Sequence, residues 1–248
     1  MDVIFTTTEQ GWFRWAAQYV KRQSTGRRWV SITPGTGARA AKDAIINAIN
    51  TAGASGRLVI SVGHGSFIAG QPADGLCELA PGGMLVLAGR NIRPQNPHPG
   101  ATIINVFYDV PAFPGQPSDL EHDTKNNPGS QRLKDWALYQ DIGRAMRRTK
   151  PFRIVLLTCR VGNATEFLRK IANDWDVVIG AYTRRVACTE DTYSQPGKRS
   201  ITTSYVHLEG EVFPKSSPGG ADDNAIASEE LPYRPSQSVW IGPPLPKP

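Results

Sequence analysis

The sequence predicts a mixed α/β fold built around a largely parallel sheet. Three observations carry this expectation. Short, almost wholly apolar runs such as Leu58 to Val62 and Ile154 to Leu157 have the composition of strands covered on both faces. Segments with apolar residues at helical spacing lie between them, and glycine and proline punctuate the joins.

Taken in order, Val3-Ile4-Phe5 reads as a first strand, and Trp12, Trp15, Ala16, Tyr19 and Val20 fall on one face of a helix. Arg28 to Thr33 reads as a second strand. Pro34-Gly35-Thr36-Gly37 breaks it before Ala40, Ala41, Ala44, Ile45, Ala48 and Ile49 line a second helix. Leu58 to Val62 is a third strand. From Gly63 to about Pro128 the pattern loosens, and only Met84 to Leu87 and Thr102 to Tyr108 are strand-like among many prolines and glycines. This stretch, about 66–130, reads as an irregular insertion carrying a hairpin and loops. Leu133, Trp136, Ala137, Tyr139, Gln140, Ile142 and Met146 mark a helix that ends in Arg147-Arg148, charges suited to a helix C-terminus. A strand at Ile154 to Leu157, a helix through Phe167, Leu168 and Ile171, and a strand at Val177 to Ile179 complete the domain, 1–210. Residues 211–248 are rich in Pro, Gly and Ser and read as a C-terminal tail, with Trp240 and Ile241 as candidate anchors.

The chain of 248 residues carries a net charge of +6. Its basic residues fall in scattered pairs (Arg27-Arg28, Arg147-Arg148, Arg184-Arg185) and are not interleaved with aromatics, which argues against nucleic acid as a partner. Three cysteines without a CxxC pair make neither a disulfide framework nor a zinc site, so free thiols, no metal and no cofactor are expected. No basic leader followed by an apolar stretch opens the sequence, and no run of about eighteen apolar residues occurs. A protein that is soluble and cytoplasmic as synthesised, with no membrane insertion, is the expectation.

The sharpest chemical signal is a pair of strand ends. Leu58 to Val62 runs into Gly63-His64-Gly65-Ser66, and Ile154 to Leu157 runs into Thr158-Cys159-Arg160-Val161-Gly162. In an open parallel sheet, functional groups gather outside the carboxyl ends of the strands. If the two strands are parallel neighbours, His64 and Cys159 meet as general base and nucleophile, the thiolate being favoured by the imidazole and by a helix N-terminus. A helix is expected just after Gly162-Asn163, capped by Asn163 or Thr165. The N–H groups of Gly65 and Cys159 are candidate oxyanion donors. Against this stands the plainer reading, in which the cysteine is a packed small hydrophobe and the Gly-His-Gly a solvated turn.

An apolar strand ending in Gly-His-Gly, followed by a later strand ending in a cysteine with a glycine nearby, resembles the clan of cysteine peptidases that contains caspases, gingipains, legumains and separase. It also contains the self-processing domains of large bacterial toxins. The stretch Ile154 to Val186 most resembles the bacterial toxin and adhesin-associated branches. The resemblance covers about residues 57–68 and 152–190 and departs at Thr158, where many members carry Ala or Gly, and at Arg160-Val161. It implies a caspase-like three-layer α/β/α sandwich and peptide hydrolysis through a thioester on Cys159 with His64 as base. It further implies a protein or peptide substrate and an activator or an inhibitory immunity protein as partner, in the setting of a bacterial effector secreted by a dedicated machine or, as the alternative, of an intracellular defence protease released by a partner. The segment Ala181-Tyr182-Thr183-Arg184-Arg185-Val186 would then help form the pocket for the residue before the cut, where Arg184 or Arg185 would favour an acidic side chain. On a solvated turn the same arginines would bind nothing. The alternative function is a catalytically inactive caspase-like scaffold that binds a protein partner; a third reading is another α/β hydrolase or transferase.

Other candidates are weaker. Gly35-Thr36-Gly37-Ala38-Arg39-Ala40 matches a loose dinucleotide fingerprint, but no acidic residue ends a following strand. Cys77, His98, His122 and Cys188 show no metal-ligand spacing. Asp74, Asp109 and Asp123 are carboxylates that could orient His64, and nothing in the sequence selects among them.

Overall fold

The computed structural model describes residues 2–9, 11–12, 16, 26–193, 201–208 and 238–243. Its centre is a six-stranded sheet formed by β1 (Asp2–Thr7), β2 (Arg27–Ile32), β3 (Arg57–Ser61), β8 (Arg153–Leu156), β9 (Ile179–Tyr182) and β12 (Ser238–Ile241). The order across the sheet is β12-β9-β8-β3-β1-β2, and every neighbouring pair is parallel except β12 with β9. Mixed α/β with a largely parallel sheet is therefore the architecture. Four helices accompany it among the described residues: α1 (Ala38–Ala52), α2 (Asp119–Asn126), α3 (Gln131–Thr149) and α4 (Thr165–Trp175). The helix read over Trp12 to Val20 lies largely outside the described residues. No helix among them is long and apolar enough to cross a membrane.

Alternation along the strands divides the sheet between two cores. Val3, Phe5, Leu58, Ile60, Ile154 and Leu156 face α1, α3 and α4 in the large core, with Ile45, Ile49, Tyr139, Ile142, Phe167 and Trp175 fully buried against them. Ile4, Val59, Val155 and Leu157 face the other way into a smaller core with Ala16, Tyr182 and Val186. The expected arrangement had helices on both faces. The three long described helices share one face, and Ala16, itself helical, lies in the core on the opposite one.

Local chemistry fixes the helix ends. Ser118 caps α2 through a capping box with Glu121, and Ser130 accepts from the Leu133 N–H to start α3. Lys150 closes α3 in the left-handed conformation, donating its N–H to Met146 O at 2.7 Å, with Pro151 after it. At the amino edge of the sheet, Arg57 pairs with the buried Asp2 carboxylate, tying β3 to β1.

The segment expected to be an insertion with one hairpin is more ordered than that. It builds a second sheet in the order β4-β5-β6-β7, from β4 (Gly65–Ile68), β5 (Gln71–Glu78), β6 (Leu85–Ala88) and β7 (Thr102–Asn105). The first three are antiparallel neighbours and β6 pairs with β7 in parallel. Its inner face, through Cys77, Leu79, Leu85, Leu87 and Ile104, joins the large core. Asp74 is buried there as a structural acceptor, its two oxygens taking the Asn91 backbone N–H at 2.7 Å and side-chain amide at 3.0 Å. Part of the segment read as a tail also departs from expectation, since β12 supplies the antiparallel edge strand beside β9. Arg153, at the start of β8, lies over both the Phe152 ring at 4.6 Å and the Trp240 ring of β12 at 5.1 Å, a contact that reaches across β9. A further antiparallel pair, β10 (Val186–Tyr193) and β11 (Ile201–Leu208), stands apart from both sheets and carries Cys188 on β10; the side chain of Cys188 lies outside the described residues.

Candidate functional site

The chain passes from β1 to β2 on one side and then to β3 on the other, so strand order reverses between β1 and β3. A crevice forms outside the carboxyl ends of strands at such a point. Thr6 and Ser61 are register partners there, both fully buried, and their hydroxyls find no hydrogen-bond partner among the described residues. They are buried polar groups that the sequence did not signal.

His64 follows β3 and Cys159 follows β8, and these strands are parallel neighbours in register Ile60 to Leu156. The Leu157 N–H donates to Ile60 O at 2.9 Å, carrying the pairing to the last residue before the Thr158-Cys159 turn. The juxtaposition sought in the sequence is present at the level of the strands. It tightens at Gly65, where a Cβ would lie 2.7 Å from both Cys159 O and Thr158 Oγ1 and 2.9 Å from Thr158 Cβ. The peptide after His64 is thus laid directly on the peptide of Cys159. Only a residue without a side chain permits that approach.

Cys159 is half-buried, and its thiol donates to Val186 O at 3.4 Å. Arg160 adopts the left-handed conformation with φ 57. Its N–H donates to Arg184 O at 2.9 Å, and its carbonyl accepts from the Asn163 side-chain amide at 3.0 Å. The same amide donates to Thr183 O at 2.6 Å. Asn163 is therefore a staple between the Thr158-Cys159-Arg160 turn and the 183–186 segment.

That corrects the expected capping. The N-cap of α4 is Ala164 without a side-chain bond, Thr165 is already helical, and a 3₁₀ turn over Val161–Asn163 separates Cys159 from the helix. Helix-end electrostatics fall off beyond the first turn, so α4 contributes little to ionising this thiol.

His64 is exposed, and its ring makes a T-shaped contact with Trp12, with centroids 5.3 Å apart. The three aspartates considered as its orienting partner are engaged elsewhere. Asp74 serves Asn91, Asp109 pairs with Lys170 at 2.9 Å, and Asp123 pairs with Arg132 at 3.1 Å. The carboxylate that touches His64 is one the sequence reading missed. Glu78 Oε2 accepts the His64 backbone N–H at 2.9 Å, and the Glu78 N–H donates to His64 O at 2.9 Å. Glu78 holds the backbone of the histidine rather than its ring. No signal in one sequence could select it, since it ends a strand of unremarkable polar composition.

Glu78→Ala is expected to loosen this turn and to destabilise the protein by about 1–2 kcal/mol, while Glu78→Gln, which keeps an accepting oxygen, loses less. Urea denaturation of the two variants measures the difference.

Arg184 and Arg185 are exposed at the mouth of the segment whose backbone meets Arg160 and Cys159. Cys77 is fully buried, and burial pushes its thiol up to about 12, so it stays protonated at neutral pH. His98 is exposed with Nδ1 2.7 Å from Pro99 O, and His122 lies 3.5 Å from Asp123. Among the described residues no three His, Cys, Asp or Glu side chains gather as a metal site would require. Comparison of the chain with protein-family models, with curated proteins and with solved structures returns no match.

Proposed function

We propose that this protein is a cysteine endopeptidase of the caspase-like class, with Cys159 as nucleophile and His64 as general base. The observation that carries the reading is the pairing of β3 with β8 in parallel, with His64 and Cys159 just past their carboxyl ends and Gly65 packed on the Cys159 peptide. A caspase-like three-layer sandwich belongs to the same proposal, the described helices forming one outer layer and Ala16 marking the side of the other.

In the proposed reaction the Cys159 thiol turns away from Val186 O and gives its proton to His64. The thiolate attacks the scissile carbonyl carbon, and the N–H groups of Gly65 and Cys159 receive the oxyanion. Collapse of the tetrahedral adduct breaks the C–N bond, and the imidazolium protonates the leaving amine. Water, deprotonated by His64, then attacks the thioester carbon, releasing a carboxylic acid and restoring the thiol. Exposed Arg184 and Arg185, carried by the segment beside Cys159, would select an acidic residue before the cut.

The bond from Cys159 Sγ to Val186 O favours a second reading, an inactive scaffold of the same fold that binds a protein partner. A peptide carrying a thiol-directed electrophile separates the two. The peptidase reading expects covalent labelling of Cys159 in preference to Cys77 and Cys188; absence of label on Cys159 would leave the scaffold.

A further inference from the structure

A cavity of about 620 Å³ opens beside His64 on the outer face of the small sheet. Its floor is the outward side of β4 and β5, where Ser66 pairs with Leu76 and Ile68 stands two residues further along. The loop after β6 supplies a wall through Ile92 and Arg93. Leu76 and Ile92 belong to a buried cluster with Val86 and Ala88, so this part of the lining is apolar and firmly seated. Ile68 is 38% exposed, a large apolar side chain left open to the cavity. The volume lies in the range of ligand-binding clefts.

The chemistry of a thiol peptidase assigns the two sides of the cleaved bond. The acyl half stays on Cys159 until water releases it, so its side chains lie by the 183–186 segment, whose Val186 carbonyl is 3.4 Å from the sulfur. The amine half takes its proton from His64 as the bond breaks, so its nitrogen must come within hydrogen-bond reach of the ring. The residues attached to that nitrogen therefore leave on the histidine side. His64 itself lines the cavity.

The geometry points to this groove as the binding site for the polypeptide on the amine side of the cleaved bond, with an apolar side chain seated against Ile68, Leu76 and Ile92. The inference rests on the peptidase reading and extends it to the specificity of the leaving half. It makes the small sheet a substrate-binding element, because β4 begins at the residue after His64 and so ties the floor of the groove to the base.

The test incubates the full chain with a mixed library of peptides of known sequence and reads the residues on both sides of every new terminus by mass spectrometry. Wild type is compared with Ile68→Lys, Ser66→Lys, Arg184→Ala and Cys159→Ala. Ile68, Ser66 and Arg184 are exposed, so their replacements are compatible with the fold, and a thermal melt verifies this. Wild type is expected to favour apolar residues after the cut. Ile68→Lys is expected to weaken that preference about tenfold and to admit acidic residues there, leaving the positions before the cut unchanged. Ser66→Lys, on the same floor, is expected to act in the same direction. Arg184→Ala is expected to alter only positions before the cut. If both lysine variants leave the profile after the cut unmoved, or move the profile before it, the groove assignment is overturned and the peptidase reading stands. If cleavage is absent, or persists in Cys159→Ala, the peptidase reading itself fails and the groove falls with it.

Discussion

Cys159→Ala is expected to abolish peptide cleavage, and His64→Ala to reduce it by about 10²- to 10⁴-fold, the range carried by a positioned general base. Neither loss should come from unfolding. His64 is exposed, and Cys159 is half-buried, with its thiol 3.4 Å from Val186 O. Both variants should melt within about 4 °C of wild type, as fits a stability change of about 1 kcal/mol or less in a chain of this size. Turnover of a peptide identified from library cleavage, measured beside a thermal melt, checks both halves of the expectation. Cleavage that survives in Cys159→Ala would remove the nucleophile from the account.

Gly65→Ala is expected to lower the cleavage rate about 100-fold although neither member of the proposed dyad is replaced. The added Cβ would meet Cys159 O at 2.7 Å and Thr158 Oγ1 and Cβ at 2.7 and 2.9 Å. Two of these neighbours cannot yield by rotating a flexible side chain: one is backbone, and Thr158 is branched at Cβ and 1% exposed. The turn bearing Cys159 must therefore move, and displacement of about 1 Å at a reacting group costs about 10²-fold in rate. Overpacking of this kind also costs about 1–3 kcal/mol of stability. Gly129→Ala is the control, since its Cβ would meet nothing within 4 Å, and it should be silent in both activity and melt. An active Gly65→Ala would mean that the Gly65 and Cys159 peptides are not in contact as described.

Three strands of the central sheet were legible because short apolar runs leave few alternatives, whereas the strand read at Val177 to Ile179 meets β9 (Ile179–Tyr182) only at its first residue. Val3 to Phe5, Leu58 to Val62 and Ile154 to Leu157 fall on β1, β3 and β8 within a residue or two. The helices through Ile45 and Ile142 were legible from their spacing. β4 and β5 were not, because Gln71 to Glu78 contains proline, glycine, a buried aspartate and a buried cysteine, and its pairing is held by distant partners such as Asn91. β12 was hidden by a proline-rich surrounding, although Trp240 and Ile241 marked it as a place of attachment. The parallel pairing that joins His64 to Cys159 could be framed from the sequence only as a condition, since register is a tertiary property. Glu78 and the staple made by Asn163 were invisible for the same reason. Each acts through a hydrogen bond to a segment at least fourteen residues away.

Ionisation of Cys159 is the central claim, and alkylation by iodoacetamide at graded pH, with each cysteine read separately by peptide mass spectrometry, tests it most directly. Cys77 is an internal reference, because a thiol pushed up to about 12 by burial stays protonated and slow throughout the range. The dyad predicts that Cys159 reacts fastest, with a midpoint well below about 8.5, and that His64→Ala raises that midpoint toward the ordinary thiol value. A Cys159 that reacts no faster than Cys77 or Cys188, or whose profile does not move in His64→Ala, would contradict the account.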